Sequence, residues 1–487
     1  MGWTPEEPLK VVVQPMIKDQ PVAPAGAPSV DHQFKRRLSR AAVVPAAWWT
    51  RLGTIPAAEW IILASLLLCT LEGAARKWLI PEGSPLRHVA YFSKDIIFML
   101  VLACGARTRN PTLEQRSVWL VCSLGLVIFG AALSSMQGIS PIGAALTLRA
   151  TFVLPLVAWW ASRRLGAASL LRVALFVGML TVGNAILGVV QSRLPPDHRL
   201  NAYSQAEAAI VSFGESVRAC GTFSYISGMG VIALLGVACG LMVMSYGPRH
   251  KILYALGLSI LGTGMVCALT SISRSPVALG LAMAALWLAY TGYTGGSFGR
   301  WLTIVGLLIA GLVAYAASPT IQSYATTLLA RHEQATDSET IKNRVVDPFL
   351  RVVDAAELST SGSGLGTEQV AAVFSATGTL SFRNFEDPWP RLVLELGILG
   401  AAGFALVAVV FLSVLWSEMK TACCLQRQAA VFAVAIFAAC IFATNPSHNH
   451  VASGFLWPLI AVALGTRRCE GCNQTASPTV QKRPHRG

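Results

Sequence analysis

The sequence predicts an all-α polytopic membrane protein of about twelve transmembrane helices, with one large external loop late in the chain. Two observations carry this. The 487 residues are 54% hydrophobic and only 13% charged, about half the charged share of a soluble domain, and the mean hydropathy is +0.56. Apolar runs of spanning length also recur between short polar stretches.

In chain order, residues 1–56 are rich in Pro, Ala and charge, with a basic cluster at Lys35, Arg36, Arg37 and Arg40. The first long apolar run starts near Ala57, too late for a cleavable signal. The segment reads as a disordered basic cytoplasmic tail whose cluster lies near anionic headgroups. Residues 57–317 hold nine predicted spans: Ala57–Leu71, Val89–Cys104, Ser117–Leu133, Ile142–Ala161, Val173–Val190, Gly228–Tyr246, Ile252–Ile272, Pro276–Tyr290 and Trp301–Ala317. Residues 318–390 form the external loop, about seventy residues and too long for an idle connection. Within it Ile321–Leu329 and Thr340–Ala356 have apolar residues at helical spacing, the second behind an Asp337/Ser338 cap. Residues 391–466 hold the last three spans, Leu392–Trp416, Ala429–Thr444 and Val451–Gly465, and residues 467–487 are a second basic cytoplasmic tail. Each run approaches the ~20 residues that cross roughly 30 Å of hydrocarbon.

Loop charge orients the bundle. Arg107, Arg109 and Arg116, then Arg163, Arg164 and Arg172, Arg249 and Lys251, Arg300, and Lys420 and Arg427 fall on one side. By the positive-inside tendency that side and both termini are cytoplasmic. The net charge of +14 therefore belongs to membrane topology. No basic patch interleaves with aromatics, so no nucleic-acid partner is expected. Most of the eleven cysteines lie in apolar runs and act as small apolar residues. Cys469 and Cys472 make a lone C-x-x-C without the second pair a zinc site needs. No metal or other cofactor is expected.

The external ends carry many ionisable groups at or inside apolar runs: Glu72, Arg76, Lys77, Lys94, Asp95, Arg149, Arg218, Arg274, Arg344 and Arg351, with His448 and His450 in the last external loop. Positive-inside topology does not account for them. Single arginines read as helix-end snorkels, whereas a convergent set beside carboxylates suits a polyanion. The densest stretch is Asn384–Gly400, NFEDPWPRLVLELGILG. There Arg391 and Glu395 share a helix face, either as a structural ion pair or in a catalytic role. Glu386 precedes Pro388 and Trp389 just outside the hydrocarbon, where partial desolvation would tune a carboxylate as a base. Its alternative reading is a solvated loop acid. Ser359–Gly366, STSGSGLG, is either a flexible linker or a turn whose backbone N–H groups cradle an anion through Gly364 and Gly366. His448 and His450 lack a third ligand with metal spacing, leaving hydrogen-bonding or auxiliary acid–base roles.

Over residues 57–465 these features resemble the O-antigen ligase and O-antigen polymerase superfamily of bacterial inner-membrane glycosyltransferases. The matching pieces are Leu148-Arg149 with Pro155; RACGTF at Arg218–Phe223; TSISRSP at Thr270–Pro276; Arg344 followed by GSGLG at Gly362–Gly366; and EDPWPRLVLELGILG at Glu386–Gly400. The resemblance implies a C-type glycosyltransferase fold and metal-free transfer of glycan from an undecaprenyl-diphosphate donor to a saccharide or lipid-glycan acceptor. It implies that external arginines, here Arg149, Arg218, Arg274 and Arg344, hold the diphosphate. The ligase branch opens the last motif with histidine where this chain has Glu386, a departure that leans towards a polymerase or a ligase with another acceptor. The Arg76–Trp78 and Lys94-Asp95 elements match no part of the signature. The alternatives from other classes are a secondary transporter and a non-catalytic subunit of an envelope-polysaccharide assembly system.

Overall fold

The computed structural model describes residues 55–81, 84–104, 111–166, 168–203, 212–213, 216–246, 251–294, 319–333, 347–367, 387–422, 425–444 and 450–465. Among these the regular structure is helical apart from one hairpin of two-residue strands, β1 (Ser212–Phe213) against β2 (Ser216–Val217), and one isolated bridge. Nine described helices are long and apolar enough to cross a membrane, and the protein is a multi-pass helical membrane protein. They coincide with nine of the twelve predicted runs. Of the other three, Val89–Cys104 falls on a helix that carries Lys94 and Asp95 and ends in a 3-10 turn. Val451–Gly465 falls on a shorter apolar helix. Trp301–Ala317 lies outside the described residues, as do both tails and the C-x-x-C pair.

The helices follow from local chemistry. α1 (Ala57–Ala74) starts behind Pro56, whose extended backbone ends the preceding segment, and closes in a π-turn at Ala75–Leu79. α2 (Leu86–Met99) returns alongside it, and α3 (Pro111–Ser135) follows. α4 (Pro141–Leu148) and α5 (Leu154–Ser162) form one span interrupted by a second π-turn at Arg149–Val153. Pro141 opens α4, where its missing N–H costs nothing. Next come α6 (Ser169–Ser192), α7 (Ile226–Tyr246), α8 (Lys251–Thr270) and α9 (Arg274–Tyr293). α10 (Pro319–Glu333) and α11 (Asp347–Leu358) occupy the long loop. Part of the predicted Thr340–Ala356 helix and its Asp337/Ser338 cap lie outside the described residues. α12 (Pro388–Thr421), α13 (Leu425–Thr444) and α14 (His450–Ala463) complete the bundle.

α7 is apolar all round and almost wholly buried, which makes it the central post. It packs on α8 through glycines: a Cβ on Gly240 would meet the Gly257 carbonyl oxygen at 2.7 Å. α3 and α12 use the same device. A Cβ on Gly130 would stand 2.4 Å from the Gly400 nitrogen and the Leu396 oxygen, so the two backbones approach as small-residue membrane interfaces do. At the opposite end of α1 from its π-turn, fully buried Glu59 pairs with Arg172 and accepts from the Ser169 hydroxyl at 2.6 Å. Glu59→Ala is expected to lower stability by about 1.5–3 kcal/mol through loss of these charge-assisted bonds. Thermal unfolding of the purified variant checks this, with Arg172→Ala expected to lose a similar amount.

Candidate functional site

The site is built where α1, α2, α4 and the turn before α7 converge. The ends of α1 and α4 share a feature that sequence periodicity hides: each slips into a π-turn at its charged residues, Ala75–Leu79 with Arg76 and Lys77, and Arg149–Val153. An inserted residue of this kind re-aims side chains that an ideal helix would send to another face, and such bulges recur at functional positions.

Arg149 forms an ion pair with Asp95: its Nη2 donates to Oδ1 at 2.7 Å, and its Nε lies 2.7 Å from Oδ2 without hydrogen-bond alignment. Both residues are buried. Next to Asp95, Lys94 is buried too and forms an ion pair with Glu72 of α1. Glu72 also accepts from Arg76 one helical turn on, at 3.4 Å. The Tyr91 ring lies under two of these cations, 5.2 Å from the Arg76 guanidinium and 4.3 Å from the Lys94 ammonium. Buried ion pairs persist only when geometry and additional bonds offset desolvation, and this network supplies both. The Arg76–Trp78 and Lys94-Asp95 elements, which match no family signature, are therefore its main components. The signal that finds them is charge inside an apolar run.

The RACGTF turn docks on this network. A Cβ on Gly73 of α1 would meet the Thr222 oxygen and Ser224 nitrogen at 2.5 Å, so helix and turn touch backbone to backbone. Lys77 donates to the Gly221 carbonyl at 2.8 Å, and Arg76 to the Ser224 hydroxyl at 3.4 Å. From α6, the Gln191 side-chain oxygen accepts from the Gly221 N–H (2.8 Å), and Asn184 accepts from the Thr222 N–H and hydroxyl (2.9 and 3.0 Å). Gly221 takes φ +58°, the left-handed conformation glycine allows without strain. The Ala219 N–H donates to the Thr270 carbonyl at the end of α8 (3.0 Å), tying the Arg218 segment to the Arg274 segment. Between them Ile272, a buried β-branched residue, sits at φ +49°, a strained conformation that surrounding structure must impose.

Arg218 projects from this turn half-buried, its Nε enclosed and without a hydrogen-bond partner among the described residues. Burial pushes its pKa down, and the neighbouring hydroxyls of Tyr203 and Tyr225 offset that only in part. Tyr203 donates to the Arg218 carbonyl at 2.7 Å, and burial raises its own pKa. Arg274 lies half-buried at the start of α9. Arg149, Arg218 and Arg274 are thus unequal: the first is clamped by an aspartate and the second is held beside neutral groups.

α4 is the hub to the late motif. Thr147, two residues before Arg149, donates to Glu395 at 2.6 Å, and Glu395 and Arg391 are both buried. Asp387, at the mouth of α12, pairs instead with Arg351 of α11 at 2.9 Å, and the Trp389 indole donates to the Phe442 carbonyl at 3.1 Å. Glu386, Arg344 and His448 lie outside the described residues, and His450 is described only in its backbone, as the first residue of α14.

The Ser359–Gly366 segment is tied into the bundle. Three of its backbone N–H groups are used within the protein: Ser363 donates to Leu394 O (2.6 Å), Leu365 to Gly138 O (2.9 Å) and Gly364 to the Ser134 hydroxyl (3.2 Å). Ile139 and Leu365 form a parallel bridge. A Cβ on Gly366 would lie 2.1 Å from the Ala144 nitrogen, so the glycines serve close packing against the start of α4. The segment is a clasp between α4 and α12, and the Gly364 N–H is used in it.

No protein-family model and no curated protein matches this chain. Its function is therefore argued from the arrangement itself.

Proposed function

We propose that the protein transfers or polymerises glycan from an undecaprenyl-diphosphate-linked donor on the periplasmic face of a bacterial inner membrane. In this reading it is a metal-independent glycosyltransferase of about twelve spans and C-type architecture, with a periplasmic loop and cytoplasmic termini. The observation that carries it is the charge imbalance at one end of the bundle. Among the described residues of that network, Arg76, Lys77, Lys94 and Arg149 stand against two carboxylates, Glu72 and Asp95, with Arg218 beside it. Excess positive charge in a water-poor setting is costly unless an anion completes it, and a lipid diphosphate is such an anion.

The chemistry is a substitution at the anomeric carbon. The Glu386 carboxylate takes the proton from an acceptor hydroxyl. The hydroxyl oxygen then forms the new glycosidic bond as the bond to the diphosphate oxygen breaks, and the carrier diphosphate leaves with that electron pair. Fixed guanidinium groups stabilise the charge gathering on the leaving group. The geometry favours Arg218 for direct contact, and the family resemblance adds Arg274 and Arg344 as further members. The Asp95 clamp favours a positioning role for Arg149. Arg391 and Glu395 orient the Glu386 segment through α12.

Purified protein incubated with an undecaprenyl-diphosphate glycan is expected to release carrier diphosphate and yield longer or transferred glycan. Glu386→Gln is expected to lower turnover by about 10²–10⁴-fold, the usual contribution of a positioned base, while donor binding is retained. A fully active Gln variant would remove Glu386 from this role.

One observation favours a second reading. α12 is broken at Gly397, two residues past buried Glu395, and transporters build solute sites at such breaks. Accumulation of a small solute in proteoliposomes, with no carrier turnover, would decide for transport.

A further inference from the structure

A cleft of about 350 Å³ opens beside the network, between the end of α1 and the segment before β1. It is lined by Lys77, Trp78, Arg87, Arg199 and Tyr203 together with Leu79, Ile80, Pro81 and Ala202. Three of these side chains are cationic, and no carboxylate is among the described lining residues. From this we propose that the cleft binds the phosphate of an anionic membrane phospholipid.

The cations are held in place by backbone oxygens. Lys77 donates to the Gly221 carbonyl at 2.8 Å, and the Arg199 Nη2 to the Trp78 carbonyl at 2.7 Å. Lys77 also reaches the Cys220 Sγ at 3.2 Å, and these neutral partners fix the heads of Lys77 and Arg199 without neutralising their charge. Arg87 reaches the Ile80 carbonyl at 3.3 Å through Nη2. Lysine and arginine at fixed positions recognise phosphate oxygens by charge-assisted bonds. The Trp78 indole N–H is enclosed and has no acceptor among the described residues, which adds a neutral donor at the same wall.

The surroundings identify the ligand as a lipid. Leu79 is 79% exposed, and Leu86 and Val89 at the start of α2 are exposed as well. Leu79, Ile80 and Pro81 give the cleft itself an apolar flank on which acyl chains can lie. Trp78 sits between that flank and the polar Arg199 segment, the position tryptophan favours at the headgroup level of a bilayer. Pulling Lys and Arg to a lipid surface is also the ordinary outcome of anionic headgroup attraction. Here three of them line one cleft. The assignment does not depend on glycan transfer, because it concerns bulk phospholipid at the rim of the bundle.

Native mass spectrometry of the full-length protein in detergent tests the site, with phosphatidylglycerol, phosphatidylcholine, undecaprenyl phosphate and inorganic phosphate as separate probes. Phosphatidylglycerol is expected to bind in preference to phosphatidylcholine. Arg199→Gln is expected to weaken it on the order of tenfold, equivalent to about 1.4 kcal/mol. Arg199 is exposed, so this variant avoids the folding risk of changing Lys77. Arg193→Gln, an exposed arginine outside the cleft lining, is expected to leave binding unchanged. Equal binding by wild type and Arg199→Gln, or an equal loss in Arg193→Gln, would overturn the site. Retention of inorganic phosphate without lipid would overturn its assignment to a headgroup. Undecaprenyl phosphate displacing phosphatidylglycerol at lower concentration would do the same by making the cleft a carrier site.

Discussion

Asp95→Ala is expected to destabilise the folded protein by about 3–5 kcal/mol, the range for removing one partner of a buried ion pair. The reason is the guanidinium left behind. Arg149 is buried and pairs with Asp95 through one 2.7 Å hydrogen bond and a second 2.7 Å ion contact, so losing the carboxylate leaves a desolvated cation deprived of that counter-charge. The double variant Asp95→Ala/Arg149→Leu is expected to recover much of the loss, because an apolar side chain carries no desolvation cost. Thermal unfolding of the four proteins in one detergent gives the coupling energy. Additive single effects would show that the two residues do not act as a pair. If Asp95→Ala also lowers donor affinity while the double variant restores fold alone, Arg149 has a role in binding as well as in structure.

Gly397→Ala is expected to cost about 2–6 kcal/mol, combining backbone strain of 1–3 with displacement of packed neighbours of 1–3. Gly397 holds φ 68°, ψ 175° inside α12, a region that residues with a Cβ almost never enter. An added Cβ would also stand 2.8 Å from the Ser361 backbone carbon and oxygen, which are fixed by the clasp. The kink is what lets Ile398 donate to the Thr360 carbonyl at 3.0 Å and leaves Leu394 O to accept from Ser363. The change should therefore release Ser359–Thr367 along with the helix break. Unfolding temperature and protease cleavage within that segment measure the two effects. Gly262→Ala on α8, where a Cβ meets nothing within 4 Å, is the matched control and should be neutral or mildly stabilising. Identical behaviour of the two variants would remove Gly397 from this role.

Both predictions turn on contacts whose residues were legible in the sequence and whose partners were not. Arg149 stands out as a charge within an apolar run, yet nothing in the spacing pairs it with Asp95, 54 positions earlier. The i, i+4 relation of Arg391 and Glu395 is local and readable, whereas the Thr147 hydroxyl that meets Glu395 comes from a different span. GSGLG carries turn chemistry in any context. Whether its N–H groups meet a ligand or the protein depends on Ser134, Gly138 and Leu394, which only folding brings near. Of the cleft at Lys77, Arg87 and Arg199 the sequence marked Lys77 and Trp78 and not their convergence with Arg87 and Arg199, because these residues come from three separate segments with no shared period.

By itself the sequence determined that this is a multi-pass helical membrane protein, since hydropathy and run length are local sums that burial in lipid enforces. It also marked the ends of the spans where charge collects. Only the tertiary structure decided how that charge is used: Arg149 against Asp95, Lys94 against Glu72, and Arg218 beside neutral tyrosines. The physical reason is that an ion's worth in a low-dielectric interior depends on which groups lie within a few ångströms of it. Those neighbours are set by helix packing and by two π-turns that no apolar periodicity reveals.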